Sequence, residues 1–453
     1  MSRRIPLEFE SLLVDKMIGS LKLLQDKEEK RVLVDKALTE IFKKDGDKHY
    51  KEERESLQDD YIRQEFIDSF LAYDVVNDLM GDFDVEDIII NSPEHVFIHH
   101  AKRGFVQTEK KFESRNHLDL FVKKLVLLSG RTVIENLMNI ELPNLEGRVN
   151  VVKSPFGPQI TITKAKMSPL SIIDLIKAKT MTHEVAAQLW LYMEGLSIRP
   201  ANVIIAGGPG VGKTTLLNAL FSFVPETDRI VVIEDTLELN TEFERSCSRL
   251  ESGEDFTLAD LVKNSLRMRP ERIVIGEVRG EEARDMMTAA NIGKYCVGTI
   301  HALTSREAII RLQNEPMNIP QQLVRLIDVY IILKRYHVED KLFRVIDEIS
   351  ETSGMEQEKV LLSQIYKFDY ETKTIKNISS STIYRDKLAR ESGLQAKEII
   401  MEVQLRAYLL KKLDELGHTT LKEVTAFCCA YNNNPDKACA GIGCDRKRLL
   451  GKK

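Results

Sequence analysis

The chain has 453 residues, 43% of them apolar and 30% charged, which supplies material for roughly two to four domains and excludes a disordered polymer. Its 65 Lys and Arg stand against 70 Asp and Glu, a net charge of -5, so it lacks the basic excess of a protein whose whole surface grips nucleic acid. Six cysteines in so long a chain do not make a disulfide framework, which fits a reducing compartment.

The first residues, Met1-Ser2-Arg3-Arg4-Ile5-Pro6-Leu7-Glu8, carry positive charge with no apolar core behind them, and no stretch approaches the roughly 18 uncharged residues of a spanning helix. The expectation is a cytoplasmic chain that meets the inner face of the cell membrane only through a partner. Residues 1–75 mix charge with apolar positions at helical spacing (Phe9, Leu12, Leu13, Met17, Leu21, Leu24) and are predicted as a helical N-terminal region. Over 76–168 the short β-rich runs Ile88-Ile89-Ile90, Val96-Phe97-Ile98, Val149-Asn150-Val151-Val152 and Ile160-Thr161-Ile162 alternate with helical stretches such as 118–128. They predict a separate, smaller α/β domain. Pro169 and the run Gly195-Leu196-Ser197-Ile198-Arg199-Pro200 bracket a helical connector over 169–200. From 201 to 345 strands and helices alternate, the pattern of a parallel sheet. Beyond Leu342 two short strands, 343–346 and 364–368, precede helices, of which 396–416 is the clearest amphipathic stretch, and 346–453 is the predicted C-terminal extension.

Within the alternating region, Asn202-Val203-Ile204-Ile205-Ala206 reads as a buried strand and runs straight into Gly207-Gly208-Pro209-Gly210-Val211-Gly212-Lys213-Thr214, then the helix former Thr215-Leu216-Leu217-Asn218-Ala219-Leu220. This is G-x-x-x-x-G-K-T in the strand, loop and helix setting that gives the motif its meaning. The glycines let backbone N–H groups curl round phosphates at a helix N-terminus, Lys213 supplies a point charge to the β and γ phosphates, and the Thr214 hydroxyl can ligate Mg²⁺. Gly207, Gly208, Pro209, Gly210, Val211, Gly212, Lys213, Thr214 and Thr215 are the expected cradle, with ATP and Mg²⁺ as ligands.

Three further strands end in polar groups. Arg229-Ile230-Val231-Val232-Ile233 leads into Glu234-Asp235-Thr236-Leu237-Glu238, and acids at the carboxyl ends of parallel strands face the crevice where ligands sit, suited to water activation and metal contacts. Arg272-Ile273-Val274-Ile275-Gly276 ends in Glu277, the form of a Walker B acid that holds Mg²⁺ through water. Cys296-Val297-Gly298-Thr299-Ile300 ends in His301, a position from which a side chain can report the γ phosphate, although strand-end histidines are more often structural.

The run Leu266-Arg267-Met268-Arg269-Pro270-Glu271-Arg272-Ile273-Val274-Ile275-Gly276-Glu277-Val278-Arg279-Gly280, with Gly298-Thr299-Ile300-His301-Ala302 downstream, resembles the type II/IV secretion ATPases, and within them the CpaF, Tad and archaeal pilus or archaellum motors. The resemblance implies an α/β fold: a RecA-like P-loop core with a parallel sheet, preceded by a smaller α/β N-terminal domain and followed by a helical tail. By that similarity Glu238 is the general base, Glu277 the Walker B acid, His301 the residue coupling nucleotide state to movement, and Glu234 and Asp235 supporting acids. The family assembles as a ring, usually a hexamer, and arginines reach the phosphates; the candidates here are Arg148, Arg249, Arg267 and Arg279. Where this branch commonly carries a Thr-Ile-Arg-Lys segment the chain reads Thr161-Ile162-Thr163-Lys164, which leaves the duty to Lys164 or to Arg148. Arg311-Leu312-Gln313-Asn314-Glu315-Pro316 and the long tail after Asp347 resemble the archaeal branch.

The function so implied is ATP hydrolysis by a homo-oligomeric ring acting on a polytopic membrane platform protein, which moves pilin-like or secreted protein indirectly; nucleic acid is not an expected partner. A motor of conjugative DNA or effector transfer and a nucleotide-binding scaffold without turnover are the alternatives. Cys428, Cys429, Cys439 and Cys444 lack paired C-x-x-C spacing and read as reduced thiols, and His99-His100 point to opposite faces of a strand. Lys110-Lys111, Lys123-Lys124 and Lys411-Lys412 read as solvated faces.

Overall fold

The structure, a computed structural model, describes residues 5–22, 25–44, 50–142, 147–164, 169–239, 246–253, 255–338, 341–357, 359–379 and 383–450. Glu146, in the Arg148 motif, and the expected boundary at 168 lie outside the described residues. The chain divides into two compact units, 1–167 and 168–453.

The first unit opens with the helices Leu7–Met17, Lys27–Lys44, Lys51–Ser56 and Asp60–Phe70. It continues into the strands β1 (Val85–Ser92), β2 (His95–His100), β3 (Gly104–Gln107), β4 (Leu137–Leu142), β5 (Gly147–Ser154) and β6 (Gly157–Thr163). They form one antiparallel sheet in the order β3-β2-β1-β6-β5-β4. The helix Arg115–Leu128 between β3 and β4 begins at Ser114, whose side chain accepts from the His117 N–H, and buries ten of its side chains. A helix apolar on so many sides needs cover all round. It finds it: Phe9, Leu13, Leu38, Phe66 and Phe70 of the N-terminal helices and Ile88, Ile98, Val149 and Ile160 of the sheet belong to the same core as Leu118 and Leu125. The N-terminal helices are thus one layer of this unit rather than a region apart.

The second unit is built on β7 (Val203–Gly207), β8 (Ile230–Glu234), β9 (Cys247–Glu251), β10 (Arg272–Ile275), β11 (Tyr295–Ile300), β12 (Val329–Val338), β13 (Lys341–Glu356), β14 (Lys359–Asp369) and β15 (Thr374–Asn377). The order is β15-β14-β13-β12-β7-β11-β10-β8-β9. From β12 to β9 every pairing is parallel, the RecA-like core, and β12 to β15 run as an antiparallel meander. The two short strands expected at 343–346 and 364–368 are in fact parts of longer ones, near the start of β13, 16 residues, and in the second half of β14, 11 residues. The expected domain boundary at 345/346 falls inside β13, so the "extension" begins within the core sheet. The reason is burial of charge. Asp347 takes the Lys334 and Lys367 ammonium groups at 2.8 Å each, and Glu351 accepts from the Tyr192 hydroxyl at 2.7 Å and the Tyr384 N–H at 3.1 Å. Such partners make a polar run into an interior strand.

The tail helices, Ile383–Ser392, Ala396–Leu416, Leu421–Asn433 and Pro435–Gly441, pack with the helix His183–Glu194 and the P-loop helix Lys213–Leu220: Leu405, Leu409, Val424 and Cys428 share a core with Trp190, Leu220 and Phe223. Arg406 ties this layer together at 2% exposure. Its guanidinium sits 2.8 Å from Glu194 Oε2 and 3.2 Å from Glu402 Oε1, and 4.9 Å from the centre of the Trp190 ring. Burial works to raise the Glu402 carboxyl, yet Arg406, Tyr431 and Arg446 hold it below its ordinary value. Removing the cation takes a buried charge partner from both carboxylates, leaving Glu402 with Tyr431 and Arg446 and Glu194 with the Leu196 N–H and the Ser197 hydroxyl. Arg406→Met is expected to lower stability by about 3–5 kcal/mol, read as a fall in the urea midpoint.

Candidate active site

Parallel strands place their carboxyl ends on one edge of a sheet. The spatial order β7, β11, β10, β8 therefore sets the P-loop, His301, Glu277 and the acidic turn 234–238 side by side. Adjacent strands are about 4.8 Å apart, so β11 holds His301 between the loop and Glu277.

The P-loop bends through Gly212, whose φ of 94 lies in the left-handed region where a side chain is strained, and the helix Lys213–Leu220 begins there with no side-chain cap. The Lys213 ammonium donates to the carbonyls of Gly207, 3.1 Å, and Gly208, 3.0 Å, and stands 3.4 Å from His301 Nδ1. On the other side of the ring, His301 Nε2 is 2.7 Å from Glu277 Oε1. An ammonium only donates, so this geometry suits the tautomer in which Nδ1 accepts and Nε2–H faces the carboxylate. Burial pushes the Lys213 ammonium below its ordinary value, against the pull of Glu277 and Glu238.

The Thr214 hydroxyl donates to Glu238 Oε2 at 3.3 Å. Glu234, 3% exposed, has a different task from its neighbour: its Oε1 accepts from the N–H groups of Glu238 and Leu239, both at 3.1 Å, and so shapes the turn that presents Glu238. Gly276 leaves room for it, since a Cβ there would lie 2.9 Å from Glu234 Cγ. Asp235 accepts from Ser252 Oγ at 2.6 Å and pairs with Arg279, which is thereby held at the rim.

The remaining arginines lie on other elements. Arg249 lies exposed on β9 opposite Val232, near enough for its charge to act on Glu234. Arg267 is exposed on the single turn Leu266–Met268. In the first unit Arg148 stands on β5 directly opposite Thr163 on β6, the position where the family's segment carries arginine. Lys164 is used within that unit: its ammonium donates to the carbonyls of Leu79, 3.1 Å, and Asp82, 2.6 Å. Two contributors went unread in the sequence. Thr299 Oγ1 donates to the Gly276 carbonyl at 2.6 Å and steadies the approach to Glu277, and Arg344 Nε donates to the Gly210 carbonyl at 2.9 Å. Thr299 carried a signal, since it precedes the strand end; Arg344 is 134 residues from its partner and carried none.

The donor set fits a nucleotide with Mg²⁺. An uncapped helix N-terminus meets anions, and the Thr214 hydroxyl with the Glu277 carboxylate are the hard oxygen donors this ion takes beside phosphate. Among the described residues no group of three or more His, Cys, Asp and Glu could hold a metal on its own. Burial raises the Glu234 carboxyl from 4.5 to about 7, opposed by the two N–H groups it accepts. The folded state thus holds a proton there that the unfolded chain has released, and stability falls as pH rises from about 4.5 to about 7. Glu234→Gln keeps the acceptor and removes the titration, so its melting temperature should fall less than the wild type's between pH 5 and pH 7.5.

Among curated relatives, an uncharacterized protein of Methanocaldococcus jannaschii, MJ0900, is 30% identical over 346 residues, 73% of this chain and 62% of its own length. The chain thus spans less than two thirds of that relative. Conjugal transfer protein TrbB of Rhizobium radiobacter is 29% identical over 254 residues, 54% of this chain and 76% of its own. Among solved structures, the ATPase DotB of Legionella pneumophila is 18% identical, with a TM-score of 0.45, over 85% of this chain and 94% of its own. The family described as type II/IV secretion system protein matches residues 84–355. A match running from β1 through β13, more than half of the chain, means that the protein belongs to the type II/IV secretion system protein family.

Proposed function

We propose that the chain is a Mg²⁺-dependent ATPase that works as a homo-oligomeric ring, a hexamer, on the cytoplasmic face of a membrane. There it would act on a polytopic platform protein to drive pilus-like or archaellum-like filament assembly or protein secretion. The observation that carries this reading is the unbroken contact from Lys213 through His301 to Glu277, with Glu238 hydrogen-bonded to Thr214 beside it. Among the described residues no helix is long and apolar enough to cross a membrane, which supports contact through a partner. The relative from Methanocaldococcus jannaschii supports the archaeal branch.

In this reading Lys213 exchanges two loop carbonyls for phosphate oxygens, and Glu238 takes the proton of the attacking water. Mg²⁺, when bound, would neutralise charge on the phosphates. His301 would sense the exchange, because the lysine that leaves its Nδ1 is the same one that meets phosphate. Arg148 and Arg249 are the arginines we assign to stabilising charge on the transferring phosphoryl group.

A conjugative role is the second reading, favoured by the relationship to a conjugal transfer protein. Stimulation of turnover by proteoliposomes carrying the platform protein supports the first reading, and stimulation by conjugation DNA with its nicking enzyme supports the second. ATP turnover by the purified chain should fall about 10²–10⁴-fold in Glu238→Gln and be lost with binding in Lys213→Ala, with oligomer mass recorded alongside. Tight ATP binding without turnover, even with membranes and platform added, would identify a scaffold instead.

A further inference from the structure

β12 and β13 place Arg335 and Arg344 directly opposite one another as Cα partners. Like charges in that arrangement destabilise a sheet. Their position explains what offsets the repulsion. β12 runs parallel to β7 with Leu333 beside Gly207, so Arg335 lies two residues beyond the strand end where the P-loop begins. Its Nη1 is 3.6 Å from the point where a Cβ on Gly210 would stand. Arg344 donates from Nε to the Gly210 carbonyl at 2.9 Å, and its Cδ is 3.7 Å from the corresponding point on Gly212, itself 4.0 Å from Thr215 Cβ.

The two arginines therefore border the glycine turn from the β12 side, while His301 and Glu277 border it from the β11 side. Lys213, Thr214 and Glu277 are the groups that face the β and γ phosphates and the metal; the glycine turn and its N–H groups face α and β. We propose that Arg335 and Arg344 form a diphosphate clamp in cis, which binds the α and β phosphates that ATP and ADP share. The proposal rests on the nucleotide-binding reading above and adds two residues to it. A contact made equally to substrate and product contributes uniform binding, so its loss appears in affinity rather than in the chemical step. In this it differs from an arginine that arrives on ring closure, whose loss appears in kcat.

The test is binding of a fluorescent ADP analogue to the full chain, with ATP turnover measured in parallel, for R335A, R344A, the double variant and K213A. Each single clamp variant should weaken ADP and ATP affinity about tenfold, the scale of a hydrogen bond to a charged group, with KM rising by more than kcat falls. Ligand-free melting temperature should hold or rise, because the like-charge pair is gone. R344Q, which keeps bulk and polarity, is read beside R344A and decides the matter if the alanine variant melts early. Unchanged ADP affinity in the double variant, with K213A losing it, would overturn the clamp and leave the P-loop reading standing. A loss confined to ATP or to kcat would overturn the α and β assignment. No ADP binding by the wild type would instead remove the reading on which the clamp rests.

Discussion

The arrangement of the site depends on the placement of β11 between β7 and β10. Two strands that are not neighbours stand about 10 Å apart. The intervening strand closes that gap with a side chain that accepts from one and donates to the other: 3.4 Å from Lys213 to His301 and 2.7 Å from His301 to Glu277. Nucleotide and metal groups are thereby linked by one ring, held by a parallel ladder whose register is set by the buried β-branched positions Ile204, Val274 and Val297.

Around this line the fold uses buried carboxylates as structural acceptors rather than leaving them exposed. Glu234 gathers two N–H groups of its own turn, Glu351 a tyrosine hydroxyl and a backbone N–H, Asp347 two lysines. Each is costly alone and affordable only with its partners in place. The same logic binds the tail layer, where Arg406 serves Glu194 and Glu402 at once. The acid that shapes the turn, Glu234, and the acid that meets Thr214, Glu238, are four residues apart and differ in burial, which separates structural from chemical duty within one short segment.

What was legible in the sequence was what depends on contiguous residues. Strand, glycine loop and helix from 202 to 220 are read from local pattern alone, and the acids and histidine that follow β8, β10 and β11 take their meaning from the strands just before them. The strands β13 and β14 were underestimated because the buried Asp347 and Glu351 look like loop until Lys334, Lys367 and Tyr192 are brought to them. The N-terminal helices were set apart because nothing in residues 1–75 says that their partner is the helix Arg115–Leu128. Arg344 was invisible for the same reason, since only the fold carries it to Gly210.

The most direct test of the account is an experimental structure with a non-hydrolysable ATP analogue and Mg²⁺. The phosphates should lie on the N–H groups of the glycine turn, with Lys213 moved off the Gly207 and Gly208 carbonyls, the Thr214 hydroxyl turned from Glu238 to the metal, and His301 still on Glu277. A nucleotide bound elsewhere, or one bound while Lys213 keeps its loop carbonyls, would contradict it.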